Sequence, residues 1–181
     1  MLSFVKDISN NTVTEQLIVN CIKNNVQVYC AHTNLDCAEG GVNDTLCEKL
    51  GLIPQYNLNK FVKITQLPEK LSTDSFILKL KISLNAAKIK LINPQNIQEI
   101  QTVAVCSGSG GEFINDIIGK ADAYITGDIK YHSALDVKDF VLIDAGHFET
   151  EKIILHTLKN ILNSEAENTV IGIDTPPWVI I

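Results

Sequence analysis

No stretch of this 181-residue chain gathers lysine or arginine into a run, and its formal charge is −6. A nucleic-acid groove or an anionic membrane surface is therefore not an expected partner. No apolar run approaches the length that a bilayer requires. The segment Met1 to Asn11 has no positive stretch leading into an apolar one, so no secretory signal is expected either. Aromatic residues are scarce at 6%, but hydrophobic residues make up 45%, a globular rather than disordered composition. Internal repeats and low-complexity linkers are missing. The five cysteines, Cys21, Cys30, Cys37, Cys47 and Cys106, are odd in number, and no two are spaced as C-x-x-C. Several lie in apolar runs, where a thiol behaves as a small hydrophobe. They are expected to be reduced, buried thiols of a cytoplasmic protein, with Cys37 alone close enough to a chemical motif for a thiol role. A chain of this length buries about 70% of its unfolded surface on folding, so no staple is needed to hold a core.

What is present alternates. Thr12-Val-Thr-Glu15 forms a capping-box pattern ahead of Leu17, Ile18, Cys21 and Ile22 at helical spacing. Val26 to Ala31 is expected as a short buried strand ending at His32. Asn43 is placed to cap a helix reaching Leu50, with Gly51 at its C′ position. Lys60 to Ile64 and Lys88 to Ile92 are strand candidates. Between them, Ser72 or Thr73 opens a helix carrying Phe76, Ile77, Leu80 and Leu84 on one face. Further on, strands at Thr102 to Cys106, Ala123 to Thr126, Phe140 to Asp144 and Thr169 to Ile173 are interleaved with helices. Those helices are predicted at Glu112 to Gly119, Tyr131 to Val137 and Phe148 to Leu162, and Pro176-Pro177 ends regular structure. This order implies an α/β fold of βαβ units with a largely parallel sheet.

The unusual polar residues collect after strands: His32-Thr-Asn-Leu-Asp36, Ser107-Gly-Ser-Gly-Gly111, Thr126-Gly-Asp128 and Gly146-His147. Open α/β sheets bind ligands outside the carboxyl ends of their strands, so these segments define one candidate face. If a helix starts near His147, then His147 and Glu151 stack one turn apart, and an imidazole beside a carboxylate suits zinc, manganese or iron. The alternative is a first-turn glutamate beside an unremarkable histidine. Asp36 is either a metal ligand or a turn cap. The loop containing Gly108, Ser109, Gly110 and Gly111 either cradles a phosphate or is a close-packing glycine turn; it lacks the P-loop lysine. Asp128 with His132 is a second-shell or substrate-binding pair, or a capped turn.

Together and in this order, these motifs resemble the Nif-three-like family, also called GTP cyclohydrolase 1 type 2 homologues. The pieces are His32-Thr-Asn-Leu-Asp36 with Gly41 and Asn43, Val103 through Gly111, Asp122 through Asp128 with His132, and Gly146 through Glu151. Leu67-Pro68-Glu69 and Asp174-Thr-Pro-Pro177 fit the pattern as well. The resemblance implies that Asp36, His147 and Glu151 bind a two-metal centre of zinc, manganese or iron. It also implies mostly parallel sheets flanked by helices, in two similar lobes (about 1–100 and 101–181) without an inserted domain, assembled as a ring-shaped homohexamer. Family members are called metal-dependent hydrolases or cyclohydrolases of small molecules, nucleotides included. The family carries a His-His-Pro segment ahead of the region that Leu2 to Asn11 resembles. No histidine precedes His32, so an N-terminally truncated first lobe lacking two ligands is expected, with His32 a conceivable substitute. Two functions follow. One is a metal-dependent hydrolase in which Asp128 or His132 shuttles protons; the other is a non-catalytic binding or regulatory module. Metal content separates them.

Overall fold

A computed structural model describes residue 8 and residues 12–164, 168–172 and 175–176. By contact the chain divides into two units, Met1–Leu35 and Asp36–Ile181. In the first, α1 (Val13–Lys23) opens with the expected capping box: Thr12 accepts from the Glu15 amide while Glu15 accepts from the Thr12 amide. Val26 to Ala31 is not a strand. It is irregular and exposed, because no neighbouring strand pairs with it among the described residues. The short α2 (Thr33–Asp36) follows.

Among the described residues, the second unit is built on one six-stranded sheet in the order β1-β2-β4-β5-β6-β3, and strands from both sides of residue 100 share it. Its strands are β1 (Ile53–Asn57), β2 (Lys63–Ser72), β3 (Lys90–Ile92), β4 (Glu99–Ser109), β5 (Ala123–Gly127) and β6 (Val141–Asp144). The expected parallel arrangement is confined to β4, β5 and β6. The other three pairings, β1 with β2, β2 with β4, and β3 with β6, are antiparallel, so the sheet is mixed. β1 is an edge strand exposed throughout; it has no period-two pattern and carries Pro54, which an edge tolerates.

The helices of this unit are α3 (Val42–Leu50), α4 (Thr73–Leu84), α5 (Ile114–Ile117, after a 3-10 turn), α6 (Tyr131–Leu135), α7 (His147–Glu151) and α8 (Ile154–Asn163). Alternate residues of the central strands feed two cores. Val103, Val105, Ile125, Val141 and Ile143 pack with Leu46 and Leu50 of α3 and Phe76, Leu80 and Leu84 of α4. Ala104, Cys106, Tyr124 and Leu142 pack with Ile114, Ile117 and Phe140 on the other face. Covering both faces is what lets these strands be apolar at nearly every position.

The helix expected from Phe148 to Leu162 is two helices. The Thr150 hydroxyl donates back to the carbonyls of Gly146 and His147, a bond that competes with the helical ladder. Residues 169–172 form no strand, whereas Ile173, Asp174 and Pro177 lie outside the described residues. Only Cys47 and Cys106 of the five unpaired thiols are buried, and burial pushes both up to about 12. Cys30 is exposed because its predicted strand does not form. Among the described residues no helix is long and apolar enough to cross a membrane.

Candidate functional site

β4, β5 and β6 run parallel, so their carboxyl ends, at Ser109, Gly127 and Asp144, lie at one edge of the sheet. Three backbone segments meet there at close range. Gly108 takes φ 65°, a left-handed conformation, and a Cβ on it would collide with Glu151 Oε1 and lie 3.3 Å from His147 Nε2. A Cβ on Gly127 would lie 2.6 Å from the His147 amide nitrogen and 2.7 Å from the Gly108 carbonyl. Glycine at these positions is what allows the β4 and β5 ends to press against α7.

On α7 the expected i, i+4 pair forms. His147 Nε2 lies 2.9 Å from Glu151 Oε1, and its Nδ1 lies 2.6 Å from Asp128 Oδ2. The Glu151 hydrogen bond lifts the imidazole, partial burial opposes it, and the Asp128 bond adds to the rise, leaving a pKa of about 9. Asp128 reaches this position with φ 54° directly after β5. His132, by contrast, is exposed on α6 with its ring edge-on to Tyr131.

Asp36 sits at the end of α2, half-buried. Its carbonyl accepts from Asn43 Nδ2 at 3.1 Å, and Asn43 Oδ1 accepts from the Ser107 amide at 2.8 Å. A third bond runs from Asn43 Nδ2 to the Phe61 carbonyl at 2.9 Å. One buried side chain thus ties the Asp36 segment to the loop whose next residue touches Glu151. This corrects the expected cap, since α3 begins at Val42 with Gly41 before it and Asn43 lies inside the helix. Asn43 occupies the same stripe as Leu46 and Leu50, and a polar residue in an apolar stripe is the signal that would have revealed it. His32 belongs to the first unit, where its amide donates to Asn34 Oδ1 at 2.8 Å. Burial raises the Cys37 thiol pKa, the opposite of what a nucleophile needs.

Two amides of the glycine loop are engaged. Gly108 donates to Thr150 Oγ1 at 3.0 Å and Gly110 to Thr126 Oγ1 at 2.8 Å, while the Gly110 carbonyl accepts from the Tyr124 hydroxyl at 2.9 Å. Ser109 and Gly111 line a small cavity with Asp128 and Lys130. Asp144, read from sequence only as a strand end, accepts from Lys90, Ile129 and Gly146. Among the described residues, no group of three His, Cys, Asp or Glu side chains is gathered tightly enough to hold a metal ion.

The model of the Duf34/NIF3 (NGG1p interacting factor 3) family matches residues 1–177. The chain belongs to the Duf34/NIF3 family. A relative described as a GTP cyclohydrolase 1 type 2 homolog, from Streptococcus pneumoniae, is 30% identical over 186 residues, covering 96% of this chain and 69% of its own length. Another with the same description, from Clostridium perfringens, is 32% identical over 176 residues, covering 88% of this chain and 66% of its own length. The chain therefore spans about two thirds of these Duf34/NIF3 relatives. The crystal structure of Staphylococcus aureus protein SA1388 shares the fold with a TM-score of 0.84 at 22% identity, over 99% of this chain and 77% of that one.

Proposed function

We propose that this Duf34/NIF3 chain is a divalent-metal-dependent hydrolase of a small-molecule substrate of the nucleotide class, with His147, Glu151 and Asp36 as its metal ligands. The observation that carries the reading is His147 held between two carboxylates, Asp128 on Nδ1 and Glu151 beside Nε2. A carboxylate on one imidazole nitrogen fixes the ring and its tautomer and leaves the other nitrogen for a cation. The donor types fit zinc, manganese or iron. His147 and Glu151 would supply two donors from one helix, and Asp36, whose main-chain carbonyl is tied through Asn43 to the Ser107 loop, would have to be drawn in as the third, since the three are not gathered in the metal-free chain. A divalent ion, when bound, would bring the pKa of a water toward neutrality and polarise the bond under attack. Asp128 would hold or pass the His147 Nδ1 proton, and the missing side chain of Gly108 leaves room beside Glu151. The relatives' description as GTP cyclohydrolase 1 type 2 homologs supports the reaction class. The same reading places the protein in the cytoplasm as a homo-oligomer, a hexamer in the family's manner.

The test is metal content after loading purified protein with Zn²⁺ or Mn²⁺. Wild type is expected to retain at least one ion per chain. Glu151→Ala and His147→Ala should lose it, and Asp128→Asn should weaken retention about 10–100-fold. A wild-type chain that retains no ion, or an Asp36→Ala variant that retains it unchanged, would sink the corresponding part of the assignment. Nucleotide hydrolysis by the loaded protein, compared with Glu151→Ala, then tests the reaction class.

A further inference from the structure

We propose that the Ser107 hydroxyl is a positioning group for the metal site, donating to the Asp36 carboxylate when a divalent ion draws Asp36 toward His147 and Glu151. The inference deepens the metal-ligand reading and rests on it. Ser107 stands near the carboxyl end of β4, one residue before Gly108. It is 6% exposed, and its hydroxyl has no hydrogen-bond partner among the described residues. Three other buried hydroxyls around this corner are engaged. Tyr124 donates to the Gly110 carbonyl, and Thr126 accepts from the Gly110 amide. Thr150 donates to the Gly146 and His147 carbonyls and accepts from the Gly108 amide. A buried hydroxyl without a partner carries a desolvation cost that alanine would avoid, and such groups are rare in native structures.

Position limits what can satisfy this group. A free substrate does not reach a hydroxyl so deeply covered, so its partner is a neighbouring side chain. The backbone at Ser107 joins the two halves of the proposed site. On one side its amide donates to Asn43 Oδ1, and Asn43 Nδ2 donates to the Asp36 carbonyl. On the other, the next residue is Gly108, whose missing Cβ leaves room for Glu151 Oε1. Glu151 already lies 2.9 Å from His147 Nε2. Asp36 is the ligand that must shift, since the three are not gathered in the metal-free chain. It is engaged there as well, so its closing is an exchange of partners. Electrostatics gives the exchange its direction. A carboxylate moved toward a buried corner loses hydration, which is costly unless an opposite charge and hydrogen bonds replace the water. A bound ion would supply the charge, and Ser107 the donor. Unsatisfied before loading and satisfied after it, the hydroxyl contributes to metal affinity and not to the metal-free fold.

The test compares wild type and Ser107→Ala as chelator-treated full chains, by urea unfolding and by Zn²⁺ titration. In the metal-free state Ser107→Ala is expected to leave the urea midpoint unchanged or to raise it, because the hydroxyl removed has no partner there. The same substitution should weaken Zn²⁺ binding about 10–100-fold, the usual loss when a group behind a metal ligand is removed. In an Asp36→Ala background it should cost no further affinity, the non-additivity expected of two partners. A merely structural serine would move midpoint and affinity together. A lowered metal-free midpoint in Ser107→Ala, or its full affinity loss on top of Asp36→Ala, overturns the inference. Wild type that binds Zn²⁺ with Ser107→Ala binding it equally well removes the positioning role alone and leaves the ligand assignment standing. A wild-type chain that binds no Zn²⁺ removes both.

Discussion

Val26 to Ala31 and Ala123 to Gly127 are short apolar segments of similar character, each followed within a residue by a chemically capable side chain, His32 or Asp128. Their fates differ. The second is a central strand buried at every position, between β4 and β6. The first pairs with nothing among the described residues, and its Tyr29 is 86% exposed. β-propensity amounts to a fit on a pleated, half-buried surface, so a segment becomes a strand only when a ladder and a packing layer receive it. The same difference carries over to the polar residue that follows. Asp128 is fixed by the end of β5 and meets His147, while His32 bonds within its own turn, its amide to Asn34 and its carbonyl to the Leu35 amide.

Each segment carries a tyrosine, which makes the contrast measurable. Tyr124 is fully buried, and its hydroxyl holds the Gly110 carbonyl. Truncating it to alanine should cost roughly 3–5 kcal/mol, as for other large core aromatics. Tyr29→Ala should stay within about 0.5 kcal/mol. Urea midpoints at constant slope would show both, and a Tyr29 cost approaching that of Tyr124 breaks the comparison.

The same contrast explains which parts of the structure were legible in advance. Ser72 caps α4, and Phe76, Leu80 and Leu84 are buried as their spacing predicts, because cap and stripe are local signals. β4, β5 and β6 were visible as apolar runs of strand length, but their neighbours were not: pairing joins residues far apart in sequence, so the antiparallel edges went unread. The His147–Glu151 pair was legible because helical spacing alone brings it together. Asn43 was misread, since a cap and a buried tether use the same side-chain atoms and only long-range partners tell them apart. The bend after Glu151 was missed because Thr150 reads as an ordinary helical residue until Gly108 is pressed against it.

Asn43 and Asn34 supply the second matched pair. Asn43 is buried and makes bonds to Asp36, Phe61 and Ser107. Asn43→Ala leaves two carbonyls and the Ser107 amide without that partner, and should cost about 2–3 kcal/mol. It should also loosen Zn²⁺ retention if the Asp36 ligand assignment holds. Asn34 accepts one exposed amide, from His32, so Asn34→Ala should cost less than about 1 kcal/mol. Equal costs from the two denaturation curves would mean that Asn43 is a local cap after all.

The smallest effect separates the two histidines. In the metal-free protein, the hydrogen bond that His147 donates to Glu151, with help from Asp128, holds the imidazole protonated up to a pKa of about 9. An unperturbed histidine titrates near 6.5. Because the folded value is the higher one, the stabilisation is fully present below about pH 6.5 and fades as pH rises through about 9. The side chains of His147 and Glu151 are 40% and 41% exposed, so solvent screening keeps the gain under about 1 kcal/mol. Glu151→Gln should accordingly destabilise the metal-free chain at pH 6 and hardly at all at pH 10. The imidazole resonance that titrates near 9 should vanish in His147→Gln and persist in His32→Gln. A Glu151→Gln penalty equal at both pH values would show that the carboxylate acts through packing rather than through the imidazolium.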